Sequence, residues 1–176
     1  MKIKIICKIA LILFITILIA NCNKKSPKRV VNHNPLLGSW KMKEVYFKTK
    51  DTVYSIKKAE PGVFFFTDSS YAIMWTPIDK PREPFKILAK PTDEETIAGF
   101  RSVVFNAGSY TFTDSTVTST AFIAKVPGFE GGKQFYRYAI KGKQLSITMY
   151  DETYPDGKKP EWLGRYVTEF VLNKID

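Results

Sequence analysis

Cysteine and histidine are nearly missing from this chain. Its 176 residues include two cysteines, Cys7 and Cys22, and one histidine, His33, with none of either type beyond residue 33. The remainder therefore has no disulfide framework, no thiolate or imidazole metal site and no reactive thiol. A Ser-His-Asp or Cys-His arrangement within it is excluded too. Acidic residues are absent from the first 33 positions, which hold seven of the 27 basic residues. The net charge of +10 thus shrinks to 20 basic against 17 acidic side chains, about +3, over the rest. A nucleic-acid surface needs a basic stripe on the domain itself, and none is visible. No internal repeat of the length that marks solenoids or propellers is present.

One long apolar run exists, and it sits at the start. Lys2, Lys4 and Lys8 precede the twelve residues IALILFITILIA at 9–20, and Cys22 follows. A positive n-region, a short h-region and a nearby processing site make up a secretory signal peptide. Twelve apolar residues fall short of the roughly 20 that a membrane span requires. Ile19-Ala20-Asn21-Cys22 resembles a bacterial lipobox, in which the cysteine is lipidated and becomes the first mature residue; Asn21 stands where Gly, Ala or Ser is usual. The expected organisation is a signal peptide at 1–21, a lipidated Cys22 with a flexible basic tether at 22–34, and a folded domain at 35–176, the alternatives being a soluble secreted protein and an uncleaved anchor. Lys24, Lys25, Lys28 and Arg29 in the tether suit anionic headgroups, each contributing about 1 kcal/mol near a membrane surface, or else a solvated spacer. The location implied is the cell envelope, on the outer membrane facing the periplasm.

Beyond the tether, short β-type runs bounded by turn residues dominate. They cover 39–48, 52–56, 63–66, 71–76, 108–113, 116–125, 134–141, 144–150 and 165–172. The four prolines Pro77, Pro81, Pro84 and Pro91 exclude an interior strand or helix between them. One helix is expected at 92–105. Thr92 caps it, Glu95 completes a capping box, and Ile97, Phe100, Val103 and Val104 recur at helical spacing. Gly99 weakens it by about 1 kcal/mol relative to Ala. Hairpin-linked strands around one helix describe an antiparallel meander, and closure into a barrel removes its edges.

Chemistry-bearing motifs are sparse. The glycines at 128–132 lack the flanking residues and the following helix of a P-loop, so they read as a turn. Asp151, Glu152 and Asp156 lack the EF-hand spacing and read as a hairpin loop. Glu44 shares the alternation of Trp40 and Met42, which places it inside. A buried carboxylate needs a partner or loses its charge. Glu44 therefore pairs with an arginine such as Arg137, or meets a polar headgroup, or a bulge delivers it to solvent. The 13 Phe, 9 Tyr and 3 Trp either fill a core or line a cavity, where tyrosine hydroxyls orient a ligand. The candidate ligand contacts are Glu44, Tyr46, Phe64, Phe66, Tyr71, Trp75, Tyr110, Phe122, Tyr136 and Tyr138.

Four ordered segments resemble the bacterial lipocalin-like domain family, a calycin-type β-barrel. They are Leu37-Gly38-Ser39-Trp40-Lys41-Met42, the proline loop Asp79-Lys80-Pro81-Arg82-Glu83-Pro84-Phe85, the helix leading into Asn106-Ala107-Gly108-Ser109-Tyr110, and the late hairpin with Arg137-Tyr138 and Leu145-Ser146-Ile147-Thr148. The family pattern also places a His on the strand matching 117–124, and this chain has none. The resemblance implies a mainly β fold, an antiparallel up-and-down barrel of about 8–9 strands with one helix. It implies that Trp40 plugs the closed end, stacked under Arg165 or Arg137 by cation–π contact. It also implies a carrier of a small apolar or amphipathic molecule; the residues themselves add the expectation of no catalysis, no cofactor or metal and no nucleic-acid binding. Two other readings stand beside it: a solid barrel serving as an interaction or scaffold lipoprotein, and a His-free isomerase-like enzyme using Tyr, Asp and Glu.

Overall fold

Trp40 is completely buried, and the strand that carries it organises the whole sheet. The computed structural model describes residues 34–59 and 61–175. The signal segment, the lipidation of Cys22 and the tether as far as His33 lie outside these residues. In chain order the elements are β1 (Gly38–Lys48), β2 (Val53–Ile56), β3 (Gly62–Phe66), β4 (Ser70–Trp75), α1 (Asp93–Arg101), β5 (Val104–Phe112), β6 (Thr116–Ala124), β7 (Lys133–Lys141), β8 (Gln144–Thr153) and β9 (Val167–Lys174).

All pairings are antiparallel. From β3 to β9 each strand pairs with the next in sequence, and β1 bridges β3 and β9 to close an eight-strand barrel. The ninth strand, β2, pairs with the second half of β1 (Val45↔Ile56, Lys48↔Val53), while the first half of β1 pairs with β3. Among the described residues the chain forms the expected antiparallel barrel with one helix. Among the described strands β2 alone has a single neighbour, and closure gives each of the others at least two, which limits strand-to-strand aggregation.

The two ends of the barrel differ. Tight hairpins at Thr67–Ser70 and Thr113–Thr116, with backbone hydrogen bonds of 2.8 and 2.9 Å, and the turn at Gly142 shut one end. There Leu36, Trp40, Leu145 and Leu172 are fully buried, and Trp40 Nε1 donates to the Leu36 carbonyl at 2.7 Å. Each such side chain contributes about 1.5–3 kcal/mol by leaving water. Asn34, expected in the tether, belongs to this end: its Nδ2 donates to the Tyr110 hydroxyl at 2.5 Å and its Oδ1 accepts from Leu36 N at 3.1 Å. The long connections from β4 through α1 to β5, from β6 to β7 and from β8 to β9 all leave the opposite, open end.

The helix departs from expectation at its second half. Its capping box is present, with Thr92 Oγ1 accepting from Glu95 N and the Glu95 carboxylate accepting from Thr92 N. It stops at Arg101, because Val104 pairs with Trp75 and begins β5. The β-branched pair Val103 and Val104 suits that extended entry better than another helical turn. The apolar stripe is not buried either: Ile97 and Phe100 are 51% and 47% exposed. Gly99 is a seat rather than a weakness, since a Cβ there would stand 2.8 Å from the Phe85 ring.

Three bulges break the period-2 alternation. Lys43 is skipped between Met42↔Leu172 and Glu44↔Val171. Phe122 is skipped between Ala107↔Ile123 and Gly108↔Ala121. Tyr150 is skipped between Tyr136↔Met149 and Phe135↔Asp151. An extra residue in one strand turns every later side chain to the other face.

Candidate functional site

A chain of polar side chains lies inside the apolar barrel, towards its open end. The Tyr71 hydroxyl donates to Asn106 Oδ1 at 2.7 Å, and Asn106 Nδ2 donates to Gln134 Oε1 at 3.3 Å. The Tyr136 hydroxyl donates to the same oxygen at 2.8 Å, and Gln134 Nε2 donates to Glu152 Oε2 at 2.7 Å. The donors thus run towards one carboxyl group. Four strands supply them: β4, β5, β7 and β8. Asn106 and Gln134 point inward by ordinary alternation, and the Tyr150 bulge brings in Glu152. Without that bulge Asp151 would follow Leu145, Ile147 and Met149 into the interior. Instead Asp151 faces out, bound by Lys159 Nζ at 2.6 Å.

Glu152 is 9% exposed and forms no ion pair among the described residues. Burial pushes its carboxyl above the ordinary value, a rise opposed by hydrogen bonds from Gln134 and Trp162. Burial likewise pushes the Tyr136 hydroxyl well up, reinforced by Tyr71 and Glu152. An apolar environment favours the neutral form of both groups.

Asn106, Gln134 and Glu152 line a recess of about 210 Å³ whose walls include Phe105, Val126, Phe129 and Tyr154. A shallower depression of about 410 Å³ adjoins it, sharing Val126, Phe129 and Tyr154. The inner recess is smaller than the roughly 300–1,000 Å³ of a drug-sized site. Deeper in, the barrel is filled. An aromatic series runs from Trp162 on Tyr166 (5.5 Å) through Phe47 (5.9 Å) and Trp75 (6.3 Å) to Phe170 (5.1 Å) and Phe64 (5.2 Å). Another hollow of about 260 Å³ lies between the proline loop and α1, against Phe85 and Gly99. Its buried hydroxyl, on Ser102, is already bound to Arg82 Nε and to the Gly99 carbonyl, both at 2.8 Å.

The candidate contacts named from sequence divide four ways. Tyr71 and Tyr136 join the polar chain. Phe64 and Trp75 belong to the packed interior, while Phe66, Tyr110 and Tyr138 serve the closed end. The Tyr110 and Tyr138 hydroxyls donate to the Thr67 and Thr113 carbonyls at 2.6 and 2.8 Å, which fastens two hairpins rather than orienting a ligand. Glu44, Tyr46 and Phe122 lie outside the barrel. The bulge at Lys43 turns Glu44 and Tyr46 outward, where the Tyr46 hydroxyl donates to Glu44 and Lys57 Nζ reaches that hydroxyl at 2.7 Å. Of the alternatives for Glu44, delivery to solvent by a bulge is the one realised. The bulge at Phe122 leaves that ring 67% exposed.

Neither arginine stacks on Trp40. Lys174 takes that place, with its Nζ 5.3 Å from the ring centroid across the β1–β9 pair. Arg137 lies over Tyr150 at 4.5 Å on the outer face, and Arg165 falls in an exposed turn before β9. The acids at 151–156 are not one loop: Asp151 and Glu152 end β8, and the turn comes at Asp156-Gly157. No cluster suited to a metal ion occurs among the described residues. From sequence Glu152 reads as part of a hairpin loop, and neither Asn106 nor Gln134 stands among the candidates. The signal for Glu152 was an acid next to an acid at a strand end, visible only to a reader who knew of the bulge.

The sequence matches no family model and no curated protein. Among solved structures the chain is similar to an uncharacterized protein from Bacteroides eggerthii, with a TM-score of 0.40 and 12% identity over 79% of this chain and 98% of that one.

Proposed function

We propose that this chain is a lipid-anchored, extracytoplasmic lipocalin-like protein that holds a small amphipathic molecule at the mouth of its barrel. The observation that carries the reading is the polar chain ending at Glu152, set at the base of a recess with aromatic and aliphatic walls. Convergent polar groups in an otherwise apolar concavity are the usual make-up of a ligand site. The filled interior limits the ligand to the mouth, so a long apolar molecule threaded through the barrel is not part of this reading. Native mass spectrometry of the full chain purified from its own membrane tests it. A co-purified small molecule, lost on substituting Phe129 and Tyr154 by Ala, is expected; a wholly ligand-free protein that also binds no small amphiphile would overturn it. The anchor is tested separately: a clickable fatty-acid label should enter the wild-type chain and be absent from Cys22→Ala.

A second reading, an interaction lipoprotein, draws on the solvent-facing Ile87, Leu88, Ile97 and Phe100 of the proline loop and α1. Contiguous exposed apolar side chains mark contact surfaces. Replacing Leu88 and Phe100 by Ser would then abolish partner capture while leaving ligand content at the mouth unchanged.

A further inference from the structure

Glu152 differs from the barrel's other paired acids in what surrounds it. Glu44, Asp151, Asp156 and Glu169 lie at the outer surface, and each has a lysine within 3.5 Å or less. Glu152 lies inside, and the side chain that donates a hydrogen bond to it, Gln134, is neutral. A carboxylate withdrawn from water without a cation is costly, and an incoming cation offsets that cost. The walls beside it suit the same occupant. Phe129 and Tyr154, both lining the recess, meet edge to face at 6.3 Å. Aromatic faces attract cationic nitrogen, most strongly where water is excluded. The recess has one cationic wall residue, Lys125. Its Nζ donates to the Phe100 carbonyl at 2.9 Å and sits 4.4 Å from that ring, and it forms no ion pair with Glu152.

We propose that the mouth recess selects an organic ammonium ion, with the cationic nitrogen against Glu152 and the apolar portion between Phe105, Val126, Phe129 and Tyr154. This rests on the reading of the recess as a ligand site and adds the sign of the ligand's charge. An anion of the same shape would face an uncompensated carboxyl group, and a neutral alcohol would gain hydrogen bonds from the floor but no charge contact.

Three probes of one shape separate these cases: benzylammonium, benzyl alcohol and benzoate. Each would be titrated calorimetrically into the full chain in zwitterionic lipid nanodiscs, with empty nanodiscs as the blank. Benzylammonium should bind at least tenfold more tightly than benzyl alcohol, and benzoate most weakly. Glu152→Gln should remove the tenfold preference, while Glu44→Gln, altered on the outer face, should keep it. Phe129→Ala should weaken benzylammonium and benzyl alcohol, which confirms where they sit without depending on Glu152. If benzyl alcohol or benzoate binds as tightly as the ammonium, or if Glu152→Gln keeps the preference, the ammonium assignment fails while the recess remains a ligand site. If none of the three binds, both readings fall.

Discussion

In β1 the extra residue Lys43 turns Glu44 out of the barrel, whereas in β8 the extra residue Tyr150 turns Glu152 in. The surroundings then take opposite courses. Outside, Glu44 gathers Tyr46, Lys43 and Lys57 around it. Inside, Glu152 receives the neutral Gln134 amide and lines a recess with aromatic walls. One geometric device, a single unpaired residue, makes a solvated ion-pair cluster in one place and a desolvated acid in the other. The contrast shows that a carboxylate's role in a small barrel is set by strand register before any of its neighbours act.

The largest test addresses what holds β1 in register ahead of its bulge. Trp40→Ala removes the fully buried plug and should cost about 3–5 kcal/mol in urea unfolding. A loss under about 1 kcal/mol would mean that Trp40 does not pin the strand. The next test closes a third bulge. A Cβ on Gly108 would stand 1.9 Å from the Thr120 carbonyl oxygen beside the unpaired Phe122. Gly108→Ala should therefore cost about 3 kcal/mol, unless β6 slips to restore pairing. Amide protection measured along β6 would reveal such a slip.

The two carboxylates themselves should respond to pH in opposite senses. Burial raises the Glu152 carboxyl, so the folded state keeps its proton to higher pH than the unfolded chain does. Its contribution is most favourable below the ordinary value near 4.5 and declines as pH rises through the raised one. Glu152→Gln should flatten that decline and raise stability at neutral pH, on the order of 1 kcal/mol, the scale of an incompletely satisfied buried polar group. The Tyr46 hydrogen bond foremost, then the Lys43 hydrogen bond and the charge of Lys57, lowers the Glu44 carboxyl. Its contribution is present above its ordinary value near 4.5 and is lost as pH falls through the lowered one. Glu44→Gln is the smallest effect, below about 1 kcal/mol as for exposed ion pairs. Its difference curve from wild type should tilt opposite to that of Glu152→Gln. Tilts of the same sign would dissolve the contrast between the bulges.

Much of the fold was legible because local rules agree with it. Turn residues between the short β-type runs marked the hairpins, and Thr92 with Glu95 marked the helix start. The misplacements arose where local and tertiary preferences conflict. Ile97, Phe100, Val103 and Val104 have helical spacing, yet pairing with β4 claims Val104 for a strand. Strict alternation puts Trp40, Met42, Glu44 and Tyr46 on one face, and the bulge divides them after Met42. The cation over Trp40 is Lys174 because β9 closes the barrel against β1, a pairing between the first and last strands that no local pattern announces.

By itself the sequence determined the class of this domain: strands of alternating and aromatic residues, one capped helix, and nothing able to form a disulfide, a thiolate centre or an imidazole site. Those features follow from residue type and short spacing, which act within a few bonds. Which carboxyl group faces the interior was decided by the tertiary structure alone. A bulge forms where two strands distant in sequence fit better with one residue unpaired, and that fit exists only once the barrel has closed.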